Sequence, residues 1–424
     1  MRKLIACGAA LVAACAFTVT GALGGTQATP GVTARSITIG GTFPLTGPAA
    51  LYAPIPVAMK AYFSYINARK GPDGKRGVMG RQIVWKYYDD GYNPANTVQL
   101  TRRLVEQDKV FATVGQLGTE PALAVREYLN SRKVPQIFVA SGASVFGSEY
   151  KKYPWTIGWM PDYISEGRLY GLQLKQSHPG KKIGLIYQND DYGKEILYGV
   201  QSALGSKYVQ DNVVAKEPVE VTATSVAPQM VKVKSAGAQV IVVLTIPRPA
   251  ILTIATAKAL GIAPEALYTN LVAVVAPALR AMAGQTGAAY VDGMLSATFL
   301  KDPTSPRWND DAAMKQFRDI MAKYGGGVNP NDFQVMYGVA LAESFVQALY
   351  KAGKNPTRAS LMNAVTSLNS PNKFLLPGIR LKTSKTDHFV ITQVQLQELN
   401  GQNLVFSPIG KIIDGRPAAG ADHL

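Results

Sequence analysis

Two pairs of adjacent aspartates, Asp89-Asp90 and Asp190-Asp191, most invite a catalytic interpretation of this chain. Paired carboxylates can act as general acid and base on the two sides of a scissile bond. Adjacent residues in a turn rarely flank one bond, however, and each pair directly precedes a segment with helical periodicity. We therefore interpret both pairs as caps of turns and helices.

Other catalytic and cofactor motifs are not recognisable. The three histidines (His178, His388 and His423) lie far apart, without neighbours typical of a metal site or a catalytic triad. The segments GQLGTE and LTGPAA lack the spacing and the Lys-Ser/Thr pair of a phosphate-binding loop, and no GxSxG elbow occurs. The sequence predicts no catalytic residue, no metal site and no cofactor.

The residues from Val110 to Ser144 instead suggest a binding site. They form an apolar strand, a turn with glycine, a helix that begins near Pro121, a second strand at Gln136–Val139, and a turn of small residues. In open parallel sheets, ligands bind outside the carboxyl ends of the strands, where such turns expose backbone N–H groups. We expect one wall of a small-molecule cleft here.

The N-terminus has the pattern of a secretory leader. Arg2-Lys3 precedes an uncharged stretch to about Leu23, and an A-x-A-like site predicts cleavage after Ala28. The early Cys15 leaves lipidation open as an alternative. Both cysteines lie in this leader, so the mature chain is expected to rely on its core rather than on disulfides.

The rest of the 424 residues has globular composition, with 47% hydrophobic and 17% charged residues. The net charge of +16 comes from scattered lysines and arginines without interleaved aromatics, so no nucleic-acid partner is expected. Strand, turn and helix alternate through two series, which predicts doubly wound parallel sheets. Phe389–Leu396 alternates like an edge strand, and Asn400-Gly401 predicts a hairpin to Leu404–Phe406.

Several segments, in this order, resemble the type I periplasmic solute-binding proteins of the leucine/isoleucine/valine-binding kind. They include ITIGGTFPLTGPAALY, DDGYNPANTVQLTRRLVEQDKVFATVG, VPQIFVASGAS and IGLIYQNDDYGKE, followed by AGAQVIVV and GMLSA. The resemblance implies an α/β fold of two Rossmann-like lobes joined by three crossing strands, near Tyr153–Asp162, Gly293–Phe299 and Lys385–Phe389. It also implies a small ligand trapped between the lobes and presented to an ABC-type membrane permease.

The resemblance further implies which turns contact the ligand. Tyr52 and Tyr192 are expected to supply aromatic rings, one from each lobe. The turns after the third and fourth strands are expected to hold a ligand carboxylate through backbone N–H groups and hydroxyls. Those turns supply Leu117, Gly118, Thr119, Ser141, Gly142 and Ala143.

Two turns depart from the family pattern. The turn TIPRP lacks a frequent pocket tyrosine and offers Arg248 as a cation. Leu271 stands where amino-acid binders place the carboxylate that pairs with the ligand's ammonium group. Burial of an unpaired ammonium is costly. We therefore expect an organic acid without an amino group, aromatic or aliphatic.

The sequence thus predicts a monomeric periplasmic component of an ABC importer. The expected divisions are a leader at 1–28, a first lobe at 29–157 with 295–388, and a second lobe at 158–294 with 389–424. A sensor of the same fold and, less favoured, an exported α/β enzyme stay open as alternatives.

Overall fold

The structure, a computed structural model, describes residues 29–415. The predicted leader, with its two cysteines and the cleavage position after Ala28, lies outside the described residues. Between residues 29 and 415, none of the helices combines the length and the apolar character needed to cross a membrane.

The first lobe contains a sheet of five parallel strands in the order β2-β1-β3-β4-β5. The order reverses between β1 and β3, which is where open α/β sheets bind ligands. Its elements are β1 (Ser36–Phe43), α1 (Pro54–Ala68), β2 (Gln82–Asp89), α2 (Pro94–Glu106), β3 (Thr113–Val114), α3 (Thr119–Ser131), β4 (Gln136–Val139), α4 (Val145–Ser148) and β5 (Thr156–Gly158).

The second lobe repeats this arrangement, with parallel strands in the order β7-β6-β8-β9-β10. The prediction of two doubly wound lobes is confirmed. Its elements are α5 (Tyr163–Ser177), β6 (Ile183–Gln188), α6 (Asp191–Leu204), α7 (Ser206–Asn212), β7 (Val213–Val219), α8 (Ala227–Ser235), β8 (Val240–Leu244), α9 (Pro247–Ala259), β9 (Ala266–Thr269), α10 (Ala276–Thr286), α11 (Ala288–Val291) and β10 (Leu295–Thr298).

The chain then returns to the first lobe, where a long helix covers the sheet. This helix packs along α1 so closely that a Cβ atom at Gly338 would lie 2.4 Å from the carbonyl oxygen of Ile55. The returning elements are α12 (Ala312–Tyr324), α13 (Phe333–Ala352), α14 (Arg358–Val365), β11 (Asn369–Pro371) and β12 (Arg380–Lys382).

A hairpin of β13 (Gln393–Asn400) and β14 (Val405–Asp414) completes the second sheet. The hairpin at Asn400-Gly401 is confirmed. The prediction of an edge strand at Phe389–Leu396 is wrong both in the residues of the strand and in its place in the sheet. β13 begins at Gln393 and lies inside the sheet, antiparallel to β10, and β14 is the edge strand. Alternating polarity along a strand reports its two faces but not its neighbours.

The crossings between lobes differ in detail from those expected. β10 pairs with β9 and β13, so residues 295–298 belong to the second sheet and the return begins at Phe299. The third crossing falls after Phe389, because the Lys382 N–H donates to the Val390 carbonyl at 3.0 Å and keeps that segment beside β12. The first crossing follows β5, within the expected range.

Helices α5 and α6 meet at two glycines. A Cβ atom at Gly167 would lie 2.2 Å from the Ile196 carbonyl oxygen, and one at Gly199 would lie 2.3 Å from the Ile164 carbonyl oxygen. Contacts this short with backbone atoms cannot be relieved by side-chain rotation. The two helix backbones therefore fix each other's position.

We predict that Gly199→Ala lowers the free energy of unfolding by about 1–3 kcal/mol, because the added methyl group overpacks the α5–α6 contact. Gly284→Ala is the matched control, since Gly284 lies in α10 and a Cβ atom there would meet no other atom within 4 Å. There the exchange is expected to stabilise the chain by up to about 1 kcal/mol. Urea unfolding measures both variants, and equal effects would contradict the prediction.

Candidate functional site

A cavity lies where the carboxyl ends of the two sheets face each other. The first lobe contributes turns after β1 and β3, and the second contributes turns after β6, β8 and β9. The lining residues are Tyr52, Ile55, Tyr92, Leu117, Gly118, Ala140, Met160, Tyr163, Tyr192, Ile246, Leu271, Val272, Phe333, Gln334 and Tyr337.

This lining is apolar and aromatic, and the described residues that form it include no charged side chain. The Tyr163 and Tyr192 rings meet edge to face, with centroids 4.6 Å apart. The Tyr192 hydroxyl is buried and has no hydrogen-bond partner in the described part of the chain. The cavity therefore suits a largely apolar ligand body and offers a hydroxyl to one polar group.

Tyr52 joins the two lobes directly. It ends a short 3₁₀ turn after β1, and its hydroxyl donates to the Val272 carbonyl oxygen at 3.0 Å. Tyr52 belongs to the first lobe and Val272 follows β9 of the second, so this bond spans the cavity. The structure places Tyr52 and Tyr192 in the wall of one cavity, and their contact with a ligand stays a prediction.

Thr119 and Ser141 form a pair of buried hydroxyls beside the cavity. Their oxygens lie 2.7 Å apart, and Ser141 Oγ also accepts a hydrogen bond from the Ala143 N–H at 3.1 Å. Thr119 is the first residue of α3, where backbone N–H groups have no acceptor within the helix. This helix end favours negative charge.

Tyr163 completes this hydroxyl cluster. Burial raises the pKa of its phenol to about 12, while hydrogen bonds with Gly142, Ser141 and Thr119 oppose the rise. The phenol therefore stays protonated at neutral pH. Tyr163 lines the cavity, whereas Thr119 and Ser141 are buried next to it and do not line it.

Two expected donors are used inside the protein. The Leu117 N–H donates to the Thr42 carbonyl at 3.2 Å, and the Gly118 N–H donates to the Ala140 carbonyl at 3.2 Å. Both residues line the cavity, but the expectation that their N–H groups hold a ligand carboxylate is wrong. The two amides extend the parallel pairing of the sheet beyond its last regular residues instead.

Other predicted residues lie away from the cavity lining. Gly142 packs against the first crossing, where a Cβ atom would lie 2.5 Å from the Pro161 carbonyl oxygen. Ala143 lines a different cavity between the lobes. Arg248 is exposed on the first turn of α9, between Pro247 and Pro249. The predicted cation is therefore not part of the cavity wall.

Leu271 forms part of the apolar wall, as the sequence suggested, but a carboxylate lies behind it. The Leu271 N–H donates to Glu166 Oε1 at 2.7 Å, and the Tyr170 hydroxyl donates to the same oxygen at 2.7 Å. Glu166 Oε2 is buried without a partner among residues 29–415. Burial raises the pKa of this carboxyl to about 7.

Sequence reasoning missed the contribution of the long helix α13 and of the second-lobe helix α5. Phe333 and Tyr337 stand one turn apart at the start of α13, whose sequence is that of an ordinary buried helix. Tyr163 and Glu166 open α5 directly after a crossing. Aromatic residues at i and i+4 and a glutamate just past a crossing are weak signals, because they fit packing and capping equally well.

The aspartate pairs behave as caps. Asp190 is the N-cap of α6 and accepts from the Gly193 N–H at 3.0 Å, and Asp90 accepts from the Tyr92 N–H at 3.0 Å. Two further contacts cross between the lobes. The Asp191 N–H donates to Glu120 Oε1 at 3.1 Å, and Ser144 donates twice to Glu195.

We predict that Glu166→Gln makes the fold less sensitive to pH. The folded-state pKa of about 7 exceeds the ordinary value of 4.5, so the folded chain holds this proton more tightly. Stability from Glu166 is complete below pH 4.5 and falls as pH rises through 7. The free energy of unfolding of Glu166→Gln minus that of the wild type is the quantity to compare. This difference is expected to be about 3 kcal/mol larger at pH 8 than at pH 4.5. Urea unfolding at both values tests this, and a parallel pH dependence of both proteins would contradict it.

Comparison with known proteins identifies the family to which this architecture belongs. A family model described as periplasmic binding protein matches residues 36–403. An "amino acid binding protein" from Pseudomonas aeruginosa is 24% identical over 285 residues, which is 67% of this chain and 72% of the relative.

Two solved structures show the same fold. A fatty acid ABC transporter substrate-binding protein from Thermomonospora curvata superposes with a TM-score of 0.76 at 21% identity, covering 92% of this chain and 95% of that one. A solute-binding protein of an ABC transporter from R. palustris, in complex with 4-hydroxybenzoate, has a TM-score of 0.73 at 18% identity, covering 91% and 99%. With the family model spanning nearly all the described residues, this chain belongs to the periplasmic binding protein family.

Proposed function

We propose that this chain is the substrate-binding component of an ABC importer, and that it traps a small organic carboxylate between its lobes. The observation that carries the proposal is an apolar cavity between the lobes that is lined by Tyr52, Tyr163 and Tyr192 and, among the described residues, by no charged side chain. Such a site gains affinity by excluding water from an apolar body, and a few polar groups set orientation.

The carboxylate is assigned to the first-lobe end of the cavity. There Tyr163 lines the cavity, and its phenol bonds the buried hydroxyls of Thr119 and Ser141 at the N-terminus of α3; hydroxyls and helix N-termini favour an anion. The corresponding turn of the second lobe is less suitable, because α9 begins with Pro247 and Pro249, which carry no N–H.

The ligand body is assigned to the aromatic walls. Tyr52, Tyr192 and Tyr337 offer rings from both lobes, and Leu271 offers an apolar surface. An α-ammonium group would face no carboxylate among the described lining residues, because Glu166 lies behind the Leu271 backbone and its carboxyl pKa is raised. We therefore propose an organic acid without an amino group. Two of the solved structures described above are named for a fatty acid and for 4-hydroxybenzoate, which supports this class, whereas the Pseudomonas aeruginosa relative is named for amino acids.

The remaining parts of the proposal concern setting and partners. The chain is proposed to be exported to the periplasm with cleavage after Ala28, to act as a monomer, and to release its unchanged ligand to a membrane permease. Hinge closure of two lobes around a ligand supplies the signal that the permease reads. A role without bond chemistry agrees with aspartate pairs that cap turns and helices.

A thermal-denaturation screen tests the ligand class. Benzoate, 4-hydroxybenzoate, hexanoate and octanoate are compared with leucine, isoleucine and valine. An acid present at about 100 times its dissociation constant is expected to add about 2.7 kcal/mol to the free energy of unfolding. A shift with the three amino acids and with none of the acids would contradict the proposed class.

Ser141→Ala tests the carboxylate position. With the best acid from the screen and its carboxamide, calorimetry is expected to show about tenfold weaker binding of the acid and a smaller loss for the amide, because a hydrogen bond to a charged group is lost. Arg248→Gln is the matched control, since its side chain is exposed on α9. Equal losses in both variants would refute the assignment.

A further inference from the structure

The Ser144–Glu195 contact joins the lobes outside the ligand cavity. The Ser144 N–H donates to Glu195 Oε2 at 2.8 Å, and the Ser144 hydroxyl lies 2.8 Å from Oε1. Ser144 precedes α4 of the first lobe, and Glu195 lies on α6 of the second. Neither residue lines the cavity assigned to the ligand.

The surroundings of Glu195 are those of a contact that forms on closure. Ser144 is buried and Glu195 is partly buried, beside a second cavity between the lobes. The charged groups around it come from α6, from α3 and the segment after α4, and from the N-cap of α5. They are Asp191, Lys194, Arg126, Glu149 and Asp162.

These neighbours leave Glu195 without a dedicated cation in the described part of the chain. Arg126 forms an ion pair with Glu149 at 2.7 Å, within the first lobe, and its guanidinium lies over the Tyr153 ring. Lys194 is exposed, and Asp162 and Asp191 add like charge. An ionised Glu195 is therefore desolvated by closure and only partly compensated.

We propose that Ser144 and Glu195 form a latch that holds the two lobes together independently of the ligand, and that this latch closes with uptake of a proton. A protonated carboxyl keeps both bonds, because one oxygen accepts from the Ser144 N–H and the other donates to the hydroxyl. The hydroxyl can reverse its role, whereas the backbone amide can only donate. The neutral form therefore keeps the geometry without the cost of burying a charge.

Electrostatics in the closed form agree with this geometry. Burial raises the pKa of Glu195 to about 7, against an ordinary value of 4.5, and the hydrogen bonds from Ser144 reduce the rise. When the lobes part, the carboxyl returns to solvent and its pKa falls toward 4.5. Closure then binds a proton between these two pH values and is favoured by acid. Burial also raises the pKa of Glu120, and this adds a smaller effect of the same sign on closure.

The latch is tested on the purified full-length secreted protein without added ligand. Small-angle X-ray scattering gives the radius of gyration, and hydrogen exchange of the Ser144 amide reports the contact itself. Between about pH 8 and about pH 5.5 the closed-to-open ratio of the wild type is expected to rise roughly 30-fold. Glu195→Gln is expected to be at least as closed as the wild type at the higher pH and to lose most of the pH response.

Truncating variants and a control complete the test. At the lower pH, Glu195→Ala and Ser144→Ala are expected to be more open than the wild type, with faster hydrogen exchange at the amide of residue 144. For Glu195→Ala this exchange is expected to be about tenfold faster. Asp191→Asn removes the same charge one turn earlier on α6, from an exposed side chain, and is expected to keep the pH response.

Equal radii and exchange rates for wild type and both alanine variants at both pH values would overturn the latch. A wild-type pH response retained in Glu195→Gln would overturn the protonation step. Because no ligand is added, these outcomes are separate from the screen of organic acids, and a wrong ligand class leaves them unchanged.

Discussion

The contact between α5 and α6 fixes the second lobe's half of the site. At Gly167 and Gly199 the two helix backbones approach too closely to admit a side chain. Tyr163 and Glu166 lie on α5, and Tyr192 and Glu195 lie on α6. The ring pair in the cavity, the carboxyl behind Leu271 and the latch to Ser144 therefore share one rigid support.

The carboxyls of Glu166 and Glu195, which lie beside the cleft, are costly to ionise because they are buried. The chain has a net charge of +16, yet burial raises the pKa of both Glu166 and Glu195 to about 7, and neither has an ion-pair partner among the described residues. The basic side chains are largely at the surface, where solvent screens them. The described lining of the cavity contains no charged side chain, so the proposed binding of an anion relies on hydroxyl groups and a helix end.

Local sequence patterns were sufficient to predict the doubly wound sheets, whereas the candidate site residues came from the resemblance to the family, and long-range packing decides which of them line the cavity. Tyr52, Leu117, Tyr192 and Leu271 line the cavity because each follows a strand whose carboxyl end faces the cleft. Turn residues of this kind are visible in sequence. The prediction for the backbone amides after β3 was wrong, because these N–H groups donate to carbonyl groups at the ends of the two neighbouring strands, whereas a turn would leave them exposed.

The residues that were missed depend on elements far apart in the chain. Phe333 and Tyr337 reach the cavity only because α13 packs along α1. Arg248 lies outside the cavity because α9 places its side chain in solvent. The position of β13 inside the sheet depends on its pairing with β10, which the alternating pattern does not encode.

The order in which the chain visits the two lobes has a consequence for biosynthesis. The first lobe lacks its covering helix until synthesis has passed Ala352, and the second sheet lacks its hairpin until Asp414. A nascent chain therefore exposes the apolar surface of α1 through most of its translation, and β10 has no partner on one side until β13 has been made; non-local pairing of this kind is slow. Both lobes are completed only late in synthesis, so the first half of the chain cannot fold into a finished lobe before the second half has been made.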